Sequence, residues 1–248
     1  MSASYGHFAY VYDRLMSDVP YEQWVHYFKQ QMFKANVESP KVLDLACGTG
    51  EVAVRLAKEG LDVVGVDLSD DMLMVAKEKA AAEHVSLSLY QQNMSELDLG
   101  MQFDCVVIFC DSLNYLQSAD EVKQTIHKVY EHLKPGGMLL FDVHSVYKMT
   151  TIFGDNTFSH IDEDVSYIWN CFSAEDYVVE HELTFFVYDE EIEAYQRFDE
   201  LHKQQTFTID TYTKWLQEAG FRDMKITADF EAMDPVHDSE RIFFSVYK

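Results

Sequence analysis

Between residues 41 and 144 short apolar runs alternate with amphipathic segments, and few architectures besides a parallel sheet covered by helices on both faces accept that pattern. Residues 41–46 (KVLDLA) read as a strand running into Cys47-Gly48-Thr49-Gly50, followed by a helix with Val52, Ala53, Leu56 and Ala57 on one face. Residues 61–67 form a near-continuous apolar, β-branched run, as a strand covered on both sides requires. Ser69 caps the next helix, and residues 85–90 and 103–110 supply two more strands. Ser118 to Glu121 is a capping box ahead of the stripe Val122, Ile126, Val129 and Leu133. Pro135-Gly136-Gly137 stops that helix, and residues 138–143 are the fifth strand.

After His144 the period changes to two. Residues 165–172, 177–188 and 192–202 predict an antiparallel meander inserted into the α/β unit. The helical pattern then returns: Asp210 starts a helix that turns Tyr212, Trp215, Leu216 and Ala219 inward, and Gly220 ends it. Residues 221–230 and 241–247 are closing strands. The reading divides the chain into a helical, aromatic cap (1–40), a ligand-binding α/β core (41–144), a β insert that forms a lid or substrate region (145–206) and a closing helix with two strands (207–248).

Charge narrows the partners. Forty-three acidic side chains against 19 Lys and Arg give a net charge of −24, and no basic patch interrupts it, so nucleic acid and anionic membrane surfaces are excluded. No apolar stretch is long enough to span a bilayer. The N-terminus lacks a secretory pattern, and Cys47, Cys105, Cys110 and Cys171 lack metal-ligand spacing; reduced thiols in the cytoplasm are the expectation, with no metal. The insert is lopsidedly acidic, which keeps the protein soluble and is compatible with a homodimer.

Three features fall at the ends of consecutive strands, where open α/β sheets bind ligands. Gly48 and Gly50 let the backbone turn sharply and approach a ligand. Asp67 tips the second strand, where a carboxylate can accept from a ribose diol, and Asn93-Met94 follows the third, placed for an adenine edge. The segment from Gly48 to Ala53 also satisfies a relaxed dinucleotide fingerprint, which keeps a nicotinamide-dependent oxidoreductase open. Asp44, inside the first strand beside the loop, instead favours a cationic ligand over a pyrophosphate, such as an amino acid joined to a nucleoside.

The runs VLDLACGTGEVA (42–53), VVGVDLSDDML (63–73), FDCVVIFCDSLNYL (103–116) and LKPGGMLLFDV (133–143) resemble the ordered motifs of class I S-adenosylmethionine-dependent methyltransferases. The resemblance implies a doubly wound, Rossmann-like α/β fold whose seven-stranded sheet has an antiparallel last strand, here 241–247. It also implies S-adenosylmethionine as cofactor. Ala46, Gly48 and Gly50 would hold its methionine moiety, Asp67 the ribose, Leu68 and Met72 the adenine faces and Asn93-Met94 the adenine edge; Cys110 joins this set. Many relatives carry Asp where this chain has Asn93. The aromatic N-terminus and the β insert resemble small-molecule members, the amino-sugar N,N-dimethyltransferases and glycine-type N-methyltransferases, in which Tyr12 and Tyr21 match a helix closing over the methyl donor. A small-molecule acceptor, an amine among the choices, would then meet Asp111 and His144, the catalytic candidates after strands four and five. The alternative is a catalytically silent S-adenosylmethionine-binding module with an acidic docking surface.

Overall fold

The computed structural model describes residues 19–190 and 192–248. In chain order the first half comprises α1 (Tyr21–Ala35), β1 (Lys41–Leu45), α2 (Glu51–Lys58), β2 (Asp62–Asp67), α3 (Asp70–Ala82), β3 (Ser88–Gln91), β4 (Phe103–Ile108), α4 (Ala119–His132) and β5 (Leu133–His144). The insert contributes β6 (Thr157–His160), β7 (Val165–Ser173), β8 (Val178–Asp189) and β9 (Ala194–Gln205). The chain returns through α5 (Ile209–Ala219), β10 (Arg222–Ala228) and β11 (Arg241–Tyr247).

Seven strands form one sheet in the order β10-β11-β5-β4-β1-β2-β3, and β6 to β9 form a separate antiparallel sheet. β1 to β5 pair in parallel, whereas β11 runs antiparallel between β5 and β10. Alternation along the strands explains the layering. On one face Leu43, Val106, Leu139 and Phe244 meet α4 and α5 through Ile126, Val129, Tyr212 and Leu216. On the other, Val42, Val107, Leu140 and Phe243 meet α1 and α2 through Trp24, Tyr27, Phe28 and Leu56.

The helix starts follow their caps. Ser69 accepts from Met72 N at 3.3 Å and Ser118 from Glu121 N at 3.2 Å, while the Glu121 carboxylate returns a bond to Gln117 N, one residue ahead of the cap. Some boundaries differ from the sequence reading. β5 begins at Leu133, not 138, because Leu133 already pairs with Phe103 and the Pro-Gly-Gly segment stays on the ladder through backbone bonds to Lys248. The helix assigned to Asp210 starts at Ile209, since Thr208 supplies the capping hydroxyl. The insert gains β6, whose four residues are too few to display a period, and a π-helical turn (Lys148–Ile152) leads into it.

Gly50 is where the glycine loop meets this packing. It caps α2 at φ +79°, and a Cβ added there would stand 2.9 Å from the Ala76 Cβ on α3. Gly50→Ala therefore combines a left-handed backbone with overpacking, each costing on the order of 1–2 kcal/mol. Urea unfolding is expected to show a loss of about 2–4 kcal/mol.

The insert sits over the loops leaving β2 and β4. Phe185 and Val187 pack with Met72, and the Asn114 amide donates to Gln205 O at 2.8 Å. No helix among the described residues is long and apolar enough to cross a membrane.

Candidate active site

The turn after β1 is built by backbone geometry. Ala46 (φ +64°) and Gly48 (φ +53°) are both left-handed, which redirects the chain outward at the top of the sheet. Asp67, at the tip of β2, fixes that turn: one carboxylate oxygen accepts from Gly48 N at 2.8 Å and the other from Ser69 N at 2.9 Å. Each oxygen retains acceptor capacity for a ligand hydroxyl. Burial raises the Asp67 carboxyl against these amide bonds. Asp67→Ala removes the turn's anchor and the acceptor that faces the cavity together. Calorimetric titration with S-adenosylmethionine is expected to show affinity lowered by about a hundredfold, equivalent to one or two charge-assisted hydrogen bonds.

The strand tips enclose a cavity of about 590 Å³. Of the residues singled out from the sequence, it brings together Tyr21, Asp44, Ala46, Gly48, Asp67, Leu68, Met72, Asn93, Met94, Cys110 and Asp111. Gly50 and His144 are not among the lining residues: Gly50 serves helix packing, and His144 stands behind Asp111. Tyr12 lies outside the described residues. The sequence reading missed Trp24, His202 and Arg241, which also line the cavity.

Asp44 is the informative acid here. It is 3% exposed, one of its carboxylate oxygens has no hydrogen-bond partner, and burial, with the nearby Asp67 charge, pushes it up to about 7. An unpaired buried acceptor in a cavity wall fits a ligand's ammonium group. Leu68, an apolar side chain left 66% exposed beside Met72, fits a planar base. Asn93 differs in detail from the sequence expectation: its side-chain oxygen already accepts from Ser95 N and Ser95 Oγ, both at 3.0 Å. Its amide N–H groups, donors, are what it retains for an adenine ring nitrogen. Taken together, these residues fit S-adenosylmethionine.

The opposite end of the cavity holds a buried charge cluster. Asp142, fully buried on β5, accepts from Trp24 Nε1 (2.8 Å), Cys110 N (2.9 Å), Asp111 N (3.0 Å) and the Arg241 guanidinium. Those bonds hold Cys110 (φ +56°) and Asp111 (φ +52°) in consecutive left-handed conformations, which turns the Asp111 side chain into the cavity. Asp111 pairs with Arg241 at 2.9 Å, accepts from Gln204 Nε2 at 2.8 Å and lies 3.2 Å from His144 Nε2. Burial alone would raise the Asp111 carboxyl, but His144 and Arg241 outweigh it and hold it well below the usual carboxylate range. Burial lowers His144, and the pull of Asp111 opposes it. Burial raises Asp142, and the Arg241 charge opposes that. Among the described residues no group of three or more His, Cys, Asp and Glu is placed to hold a metal ion.

The family model for a methyltransferase domain matches residues 42–137. A protein named as a candidate methyltransferase in Geobacillus sp. (strain WCH70) is 51% identical over 247 residues, covering 99% of this chain and 100% of that protein. A solved S-adenosylmethionine-dependent methyltransferase from Clostridium acetobutylicum ATCC 824 is 31% identical, covers 98% of each chain and superposes with a TM-score of 0.89. The dTDP-3-amino-3,4,6-trideoxy-alpha-D-glucopyranose N,N-dimethyltransferase of Streptomyces venezuelae is 34% identical over 105 residues, 42% of this chain and 43% of that protein.

Proposed function

The chain belongs to the class I S-adenosylmethionine-dependent methyltransferases, and from that premise we propose that it methylates the nitrogen of a small-molecule amine. The observation that carries this reading is the charge at the acceptor end: two carboxylates, Asp111 and Asp142, against one guanidinium, Arg241. A net negative wall attracts an amine and stabilises the positive charge that arrives on its nitrogen. The cavity size supports a small acceptor, since about 300–1,000 Å³ is the range of small-molecule and cofactor sites. The amino-sugar relative supports nitrogen as the accepting atom.

When bound, S-adenosylmethionine supplies an electrophilic methyl group; the amine lone pair forms the new carbon–nitrogen bond as the carbon–sulfur pair returns to sulfur. The protein's part is mainly alignment, which can contribute about 7–11 kcal/mol. Asp44 holds the ammonium of the methionine moiety, Asp67 the ribose, and Leu68 with Met72 the base. Asp111, ionised and buried, orients the incoming N–H group and is too weak a base to remove its proton, which passes to water. His144 acts through Asp111, as a positioning residue.

The test is transfer of labelled methyl to a panel of small primary and secondary amines and matched alcohols and phenols. Label is expected in amines, with rates rising with pH as the amine loses its proton. Label confined to hydroxyl or carbon acceptors overturns the amine assignment, and cofactor binding without any transfer favours a silent binding module.

A further inference from the structure

The inserted sheet turns two different faces toward the core. At one end it docks through apolar side chains, Phe185, Val187 and Leu183 against Met72. At the other end the half-buried Trp169 of β7 and the buried His181 of β8 and Gln204 of β9 lead toward Asp111. Trp169 Nε1 donates to His181 Nδ1 at 3.0 Å. With Nδ1 accepting, the neutral ring of His181 carries its proton on Nε2. That N–H has no hydrogen-bond partner, and Gln204 stands two residues beyond His202, the cross-strand partner of His181, on the same face of the sheet. Gln204 Nε2 in turn donates to Asp111 Oδ2 at 2.8 Å. His181 is 2% exposed and Gln204 4%, so both are desolvated at a place where apolar residues would dock at lower cost.

Lone-pair counting gives the arrangement a purpose. A carboxylate oxygen accepts two hydrogen bonds. Oδ2 of Asp111 is filled by Gln204 from the insert and by His144 from the core, whereas Oδ1 takes Arg241 and keeps one lone pair. We propose that His181 and Gln204 are positioning residues for methyl transfer: Gln204 occupies Oδ2 and so turns the remaining lone pair of Oδ1 toward the acceptor N–H, and His181, on the same face of the insert, keeps Gln204 in place. This rests on the reading of Asp111 as the acceptor-facing group. The insert is then part of the catalytic apparatus as well as a cover.

The test compares Gln204→Leu, Gln204→Glu and His181→Phe with Asp111→Asn. Cofactor affinity, measured calorimetrically with S-adenosylmethionine, is expected within about twofold of wild type in Gln204→Leu and His181→Phe, showing an intact cradle. With the amine that the wild-type protein methylates fastest, kcat is expected to fall roughly ten- to a hundredfold in both, with KM nearly unchanged, the scale on which a misplaced group slows a transfer. Gln204→Glu keeps the side-chain shape but loses the donor; its kcat relative to that of wild type at the same pH is expected to recover as pH falls and the new carboxyl takes up a proton to donate. Ring-nitrogen NMR of His181 needs no acceptor: Gln204→Leu and Asp111→Asn should both shift its Nε2 resonance. A kcat unchanged in Gln204→Leu while Asp111→Asn loses activity overturns the inference alone, as does a His181 spectrum indifferent to both substitutions. A kcat unchanged in Asp111→Asn overturns the reading of Asp111 beneath it.

Discussion

Replacing Asp44 by Asn is expected to weaken S-adenosylmethionine binding and, at pH 8, to stabilise the ligand-free protein. Both effects come from the same carboxyl. Without a ligand it is buried with an unpaired oxygen and its titration is pushed up to about 7. An acid raised in the folded state holds a proton that the unfolded chain has already lost, so stability falls as pH rises from about 4 to about 7. Above that window the native state carries an uncompensated charge at a cost of about 2–4 kcal/mol, which Asn does not have. On the proposed reading the ligand's ammonium compensates the charge in the wild type, and losing that pair costs about 1.5–3 kcal/mol, or ten- to a hundredfold in affinity. Melting curves with and without S-adenosylhomocysteine at pH 4.5 and pH 8 separate the two contributions. Wild-type affinity should climb with pH to about 7 and then level, while the Asp44→Asn variant shows no such climb. A variant that binds the cofactor as well as wild type would remove Asp44 from the cradle.

Arg241→Ala carries the largest expected loss of stability. Arg241 links Asp111 and Asp142, and its guanidinium lies 5.1 Å from the Trp24 ring centre. Truncation leaves two buried carboxylates with no counter-charge, and breaking such a pair from one side costs about 3–5 kcal/mol. The sign with pH is diagnostic. In the wild type, Asp111 titrates below its unfolded value and contributes stability at all pH above about 4, lost as pH falls toward its depressed folded value. Without Arg241, Asp142 loses the charge that opposes its raised titration and Asp111 loses one of the two groups that hold it down, so the deficit is greatest at neutral pH and shrinks in acid. Urea unfolding at pH 7 and pH 4.5 measures it; a deficit independent of pH would mean that lost packing against Trp24, not charge, dominates.

Arg241 also marks the limit of what the sequence discloses. The sheet was legible because apolar runs and glycine turns are local signals: the residue ranges of β1, β2, β4 and β11 follow their hydrophobic stretches almost residue by residue. The cofactor half of the cavity was legible for a related reason, as Asp44, Gly48, Asp67 and Asn93 each sit at the tip of a recognisable strand. The acceptor half depends on pairs 130, 99 and 93 residues apart, Arg241 with Asp111, Arg241 with Asp142 and Gln204 with Asp111. The sheet order, with β11 antiparallel to β5 and Arg241 beside His144, brings the first two together, and the docking of the insert brings the third. One signal was available: Asp142 is a charged residue in the apolar run LLFDV, and a buried acid requires a partner somewhere. His144 was found for its place after the fifth strand, but its burial behind Asp111 comes from the insert and from Phe153, which no periodicity reports.

The place of β11 between β5 and β10 has a consequence for how the molecule is made. A ribosome extrudes ten strands before this one, yet this one occupies an interior slot of the sheet. Until it arrives, β5 presents an open edge, and Asp142 awaits the cation that will neutralise it. Early translation products should therefore stay loosely structured around β5 and depend on chaperones, with the acceptor side of the pocket maturing after the nucleotide side.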